Sequence, residues 1–196
     1  MPRLFCYKDD TMIRPEFRQA LATQHKILVV LWWVFVAGLF LYLWISQTFL
    51  ANWQLAGAAS FAQAARLILW LLTFCDLATL VWWKRRFLTR QAILGGAKQY
   101  KILQSLQEHK TTVEERAAAV VSSYVTGKIV AFALAEAVAV YGFAMVLTSR
   151  YFPGLYILSA AAGALLLVEF PSRRFLEGLV KEIEAQPMNE SRIREE

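Results

Sequence analysis

The sequence predicts an all-α membrane protein of four transmembrane helices, set as two antiparallel hairpins with amphipathic cytoplasmic helices beside them. Three observations predict it. The chain is 58% hydrophobic and only 18% charged, whereas a soluble domain averages about 45–50% apolar and about 25% charged residues. The apolar residues come in blocks long enough to cross a bilayer rather than at amphipathic spacing. The 21 Lys and Arg residues lie almost entirely between those blocks, on alternate sides.

The first span is Ile27–Ser46, which carries no charge and includes Trp32, Trp33, Phe40 and Trp44. At about 1.5 Å per residue it covers a hydrocarbon core of about 30 Å. The second runs from about Ala62 to Trp83 and closes on Trp82-Trp83-Lys84-Arg85-Arg86, an aromatic belt followed by a basic stop. The third runs from about Ser123 to Leu147, and the fourth, the shortest, from about Gly154 to Phe170 before Pro171. These make residues 27–171 one membrane domain, preceded by a polar arm (1–26), interrupted by a loop (84–122) and followed by a tail (172–196).

Basic residues set the expected orientation. Five lie in the N-terminal arm, eight between Lys84 and Arg116, and five in the tail, while the loop Gln47–Phe61 has none and Thr148–Pro153 has only Arg150. The positive-inside rule then places both termini and the middle loop in the cytoplasm of a bacterial inner membrane or a topologically equivalent one. No cleavable signal peptide is expected before the first span.

The cytoplasmic segments carry helical signals of their own. Thr111-Thr112-Val113-Glu114-Glu115 offers a capping box, so the third helix is expected to start near Val113, well before the bilayer. Ala97–Leu106 has helical apolar spacing, set off by Gly95-Gly96 from an extension of span two. In the tail, Phe175, Leu176, Leu179, Val180 and Ile183 form one stripe, with Arg173, Arg174, Lys181 and Glu182 off it. Such a helix suits a membrane surface or a partner. Ile13, Phe17 and Leu21 form a thinner stripe, and the residues after Gln186 are expected to be disordered.

Five ionisable residues fall in or at the edges of the spans: Arg66, Asp76, Lys128, Glu136 and Glu169. Arg66 is near the outer face and can snorkel to headgroups. Asp76 and Lys128 are expected at matching depth, where an ion pair would either fix helix register or form part of a relay. Glu169, beside Arg173 and Arg174, is expected to be a solvated interfacial carboxylate. Glu136 differs, because it stands about 12 residues, or about 18 Å, from either end of its helix and cannot snorkel. A charge at that depth costs about 2.5–3.5 kcal/mol on insertion scales. Two readings follow: a carboxyl that exchanges a proton with an access path, or a structural acid hydrogen-bonded to Ser159, Thr73 or Tyr141.

Around Glu136 the helix is smooth. Gly127, Ala131, Ala135 and Ala139 recur every four residues, and the fourth span adds Ser159 and Gly163. Small residues let helices approach closely, so spans three and four are expected to pack on each other or on another subunit, while spans one and two face lipid.

The run Ala133-Leu-Ala-Glu136-Ala-Val-Ala-Val-Tyr141-Gly142-Phe143 resembles the ion-binding helix of the proteolipid, or c, subunits of rotary ATPases. The resemblance covers about twenty of the 196 residues. It implies that Glu136 is a proton- or sodium-binding carboxylate, with Tyr141 and Gly142 as the family's following residues. Span two is not glycine-rich as in that family, and a loop of some forty residues replaces the family's short one, so no rotor ring is implied.

Other chemistries lack their residues. Both histidines, His25 and His109, lie outside the spans, so bis-His haem is not expected. No Cys/His metal cluster, phosphate-binding Gly loop or nucleophile constellation is present, so neither a cofactor nor an enzyme is expected. The net charge of +6 follows topology and anionic lipid rather than nucleic acid. The expected partners are the lipid bilayer and other membrane subunits or further copies of the chain, with no small-molecule substrate evident. Two function classes stand: an ion-linked membrane subunit with Glu136, Tyr141, Asp76 and Lys128 as its polar set, or a non-catalytic structural or assembly subunit.

Overall fold

The computed structural model describes residues 15–50, 59–95 and 112–193. They form α1 (Pro15–Ile45), continued by a π-helical turn (Ser46–Leu50), then α2 (Ala59–Phe87), the short α3 (Arg90–Gly95), α4 (Thr112–Ser149), α5 (Phe152–Val168) and α6 (Arg173–Ile193). Four stretches are long and apolar enough to cross a membrane: Ala22–Thr48, Phe61–Phe87, Ala117–Ser149 and Phe152–Ile183. The chain is therefore an all-α integral membrane protein, with four such helical stretches among the described residues.

The stripe Ile13/Phe17/Leu21, the segment Ala97–Leu106 and the capping residue Thr111 lie outside the described residues and side chains. α4 begins at Thr112, next to the expected start. α2 stops at Phe87 and the chain bends over residues 88–89 before α3 ends at Gly95. The break after span two thus comes earlier than the Gly95-Gly96 pair suggested. The tail corrects a second expectation, since α6 continues past Gln186 to Ile193.

The described residues fall into two compact units. One contains residues 28–86 and 127–171; the other contains the segments on either side of them, including 87–126 and 172–196. In the second unit the tail stripe is inward. Leu176, Leu179, Val180 and Ile183 are buried with Ile93, Val120 and Val121, while Arg173, Arg174 and Lys181 are exposed. Tyr124 and Phe175 pack ring against ring at 5.4 Å, and Arg90 pairs with Glu182 at 3.1 Å. Arg173 pairs with Glu177 one turn along at 2.7 Å.

In the membrane unit, α4 and α5 form the interior. Of the most apolar eighteen residues in each stretch, 44% and 39% are buried for those two, against 17% and 11% for α1 and α2. Trp33, Phe40 and Trp44 on α1 and Leu67, Leu71 and Phe74 on α2 are largely exposed, as befits side chains whose solvent is lipid. Gly142 allows α4 and α5 to approach closely. A Cβ there would lie 3.1 Å from the Leu155 backbone and 3.1 Å from Leu158 Cβ.

α1 is tied to both interior helices. Phe35 meets Phe132 at 5.9 Å, and Tyr42 stacks on Phe143 at 5.5 Å. The buried Trp32 indole donates to Leu166 O at 2.8 Å. That carbonyl lies in the last turn of α5, where no intrahelical donor remains. α2 meets α4 through Trp83 Nε1, which donates to Gly127 O at 3.3 Å.

Candidate functional site

Three groups of intramembrane polar residues each take a member from α4. The first is a buried ion cluster. Glu169, 2% exposed, sits at the C-cap of α5. Its Oε2 accepts from Lys128 Nζ at 2.7 Å and its Oε1 pairs with Lys84 Nζ at 2.5 Å. Lys128 also donates to Glu169 O at 3.1 Å, placing positive charge on the carbonyl end of α5, where the helix dipole favours it. Two expectations are corrected here. Glu169 is not a solvated carboxylate, because Arg173 turns instead to Glu177 and two lysines enclose it. Lys128 does not pair with Asp76; it pairs with Glu169.

The second group is Asp76 with Tyr141. The Tyr141 hydroxyl donates to Asp76 Oδ2 at 2.8 Å, and Asp76 is half-buried on α2. The third is Glu136 with Tyr42 and Gly38. The Tyr42 hydroxyl donates to Glu136 Oε1 at 3.0 Å. Gly38, one turn before Tyr42 on α1, makes the space. A Cβ on it would lie 2.7 Å from Glu136 Oε1 and 3.9 Å from the Tyr42 hydroxyl. Glu136 is half-buried and, among the described residues, forms no ion pair.

None of the three partners expected for Glu136 takes it. Tyr141 is engaged by Asp76. Thr73, 1% exposed, donates to Leu69 O in its own helix at 2.8 Å. Ser159 Oγ is buried and has no hydrogen-bond partner. The signal that could have found Tyr42 is present in the sequence: Gly38 and Tyr42 stand one turn apart in a span otherwise filled with large side chains. A glycine there opens one face, and a phenol at i+4 lies on that face.

The small-residue row of α4 lies against the rest of this chain. Gly127, Ala131, Ala135 and Ala139 are all buried, the three alanines at 0% exposure. Gly163 on α5 faces Leu39, whose Cδ1 would be 3.9 Å from an added Cβ. Arg66, expected to snorkel, lies half-buried with its guanidinium 4.4 Å above the Tyr151 ring centre, a cation–π contact. Cys75 is free and exposed. Among the described residues no group of three or more His, Cys, Asp or Glu side chains could hold a metal ion.

Gly38 provides a local test of this arrangement. The clash in Gly38→Ala is with the far end of one flexible side chain, so Glu136 swings aside and the helices stay in place. The expected result is loss of the Tyr42–Glu136 hydrogen bond at a stability cost of about 1 kcal/mol. Tyrosine ultraviolet resonance Raman would register it as a change in phenol hydrogen bonding. An unchanged tyrosine signal would contradict the placement.

No family model, curated protein or solved structure matches the chain.

Proposed function

We propose that this chain is a small polytopic membrane subunit in which Glu136 takes up and releases a proton, or exchanges it for another cation. The observation that supports the reading is a contrast between carboxylates. Glu169 is matched by two lysines, whereas Glu136, deeper in its helix, has a phenol donor and no cation among the described residues. In a low-dielectric setting an unmatched carboxylate is strongly disfavoured. A mobile proton or other cation is the partner that fixed charges among the described residues do not supply to Glu136. Asp76, held by Tyr141, is a second carboxyl of the same kind. Lys128, committed to Glu169, anchors the helices and takes no part in a relay.

The orientation belongs to the same proposal: two antiparallel hairpins with both termini cytoplasmic, in a bacterial inner membrane or its equivalent, associated with other subunits or further copies. The local likeness to rotary-ATPase proteolipid subunits agrees with an ion-linked carboxyl at Glu136 and extends no further. The alternative is a purely structural assembly subunit docked through small-residue faces and amphipathic tails. Burial of Ala131, Ala135 and Ala139 within the chain leaves that reading a smaller face, with Ala133, Ala160 and Ala164 exposed. The test is reconstitution into liposomes with a pH-sensitive dye inside. A proton flux above protein-free liposomes that is lost in Glu136→Gln supports the proposal; an equal flux in both contradicts it.

A further inference from the structure

The surroundings of Glu136 are polar on one side and dry on the other. Toward the α4–α5 turn, α1 presents Gly38, Tyr42 and Ser46 at four-residue spacing, hence along one face. Gly38 and Tyr42 already frame the Glu136 carboxyl. Ser46, one turn further, is 0% exposed, and its hydroxyl has no hydrogen-bond partner. On α5, Ser159 is 6% exposed, and its hydroxyl is likewise unpartnered. The contacts Leu39–Gly163 and Gln47–Tyr156 bracket both serines between the same two levels of α1 and α5. At the outer of those levels the Gln47 amide donates to the Tyr156 hydroxyl, and both side chains are exposed.

The opposite direction is lined by apolar side chains. Phe132 and Ala131 are 0% exposed, Phe35 lies against Phe132, and Trp32 and Leu28 are buried below them. Serine hydroxyls in a helix usually donate to the carbonyl one turn back, as Thr48, Thr73 and Ser149 do here. Ser46 and Ser159 do not. The π-helical turn starting at Ser46 departs from the regular ladder at the same place; such turns are frequent at functional sites.

We infer that Ser46 and Ser159 are the water-binding stations of the proton route on one side of Glu136, running from the Gln47–Tyr156 pair past Tyr42 to Glu136. The inference rests on the proposed role of Glu136 and adds the side from which it is reached. Each orphaned hydroxyl can take a water, and a water bridging two such groups meets the donors and acceptors that the protein leaves open. A proton arriving as hydronium passes along hydroxyl and water oxygens to Glu136 Oε2, whose partner Oε1 is held by Tyr42. Each transfer breaks one O–H bond and forms one, so no other reactant is needed.

The test uses Ser46→Cys and Ser159→Cys singly in a full-length Cys6→Ser, Cys75→Ser background, with Ala131→Cys as the dry comparison. The probe is a small charged methanethiosulfonate, which reacts with thiolates reached by water. Ser46→Cys and Ser159→Cys are expected to label, and Ala131→Cys to stay unlabelled. Ser46→Ala and Ser159→Ala are expected to slow flux about tenfold each, the scale set by losing one hydrogen-bonding station on the path. If both serine-site cysteines are as inert as Ala131→Cys while flux still depends on Glu136, the route is wrong and the Glu136 reading survives. If Glu136→Gln leaves flux unchanged, the reading beneath the route fails as well.

Discussion

Glu136→Gln is expected to reduce proton flux by about 10²–10⁴-fold, the range for removing one positioned acid–base group, while leaving the fold intact. The amide is nearly isosteric, and its oxygen still accepts from the Tyr42 hydroxyl that now reaches Glu136 Oε1 at 3.0 Å. It also relieves the cost of a charge at that depth, so thermal stability in detergent is expected to hold or rise slightly. Glu136→Asp separates the effects of charge and position. Shortening by one methylene draws the carboxyl away from Tyr42 and Gly38 while keeping an ionisable group, so flux is expected to fall less than in Glu136→Gln. Tyr42→Phe leaves the acid in place without its donor and is also expected to be intermediate. Liposome flux measured in parallel on the three variants checks the order. Equal flux in wild type and Glu136→Gln, with both folded, would leave Glu136 as a structural acid.

The second large effect is on stability. Glu169→Gln is expected to destabilise the membrane unit by about 3–5 kcal/mol, the usual cost of leaving a buried charge unpaired. The two lysines do not share that cost equally. The Lys128 side chain is 13% exposed and that of Lys84 is 40% exposed, so Lys84 can hydrate or snorkel when its partner is lost. The unpaired charge that matters is Lys128. Lys84→Met is therefore expected to cost about 1 kcal/mol or less, and Lys128→Met several times that. Combining Lys128→Met with Glu169→Gln recovers most of the loss, since it removes the stranded charge. Unfolding in mixed micelles, analysed as a double-mutant cycle, measures the coupling. Additive losses at Lys128 and Glu169 would show that the pair is not the unit that holds α4 to α5.

The spans were legible because their signal is one-dimensional: a long apolar run fixes a crossing whatever the tertiary packing. The tail stripe was legible as a stripe, since Leu176, Leu179, Val180 and Ile183 share a face by spacing alone, but its destination was not: that face is buried within the chain rather than laid on a membrane surface or a partner. Pairing was harder, because it depends on axial offset and rotation between helices. Counting inward from the apparent span ends matched Asp76 to Lys128. The Trp83–Gly127 contact places span two's basic edge level with Gly127 rather than Ser123, an offset of about one helical turn. Lys84 and Lys128 then stand together at the Glu169 level, and Asp76 lies deeper. Tyr141 reaches Asp76 from further along α4 because helical side chains lean toward the N-terminus. The hydroxyls of Ser46 and Ser159 could not be singled out from sequence, since most serines in a span bond their own helix and only packing reveals which do not.

The central claim is that Glu136 exchanges a proton from within the bundle, and the most direct measurement is of the carboxyl itself. Infrared difference spectra of the reconstituted protein, recorded between acid and alkaline buffers, isolate the C=O stretch of protonated carboxylic acids. The account predicts a band that disappears at alkaline pH, shifts in Tyr42→Phe through loss of its hydrogen bond, and is missing from Glu136→Gln. A difference spectrum identical in wild type and Glu136→Gln would contradict it, because the intramembrane carboxyl would then not change its proton at all.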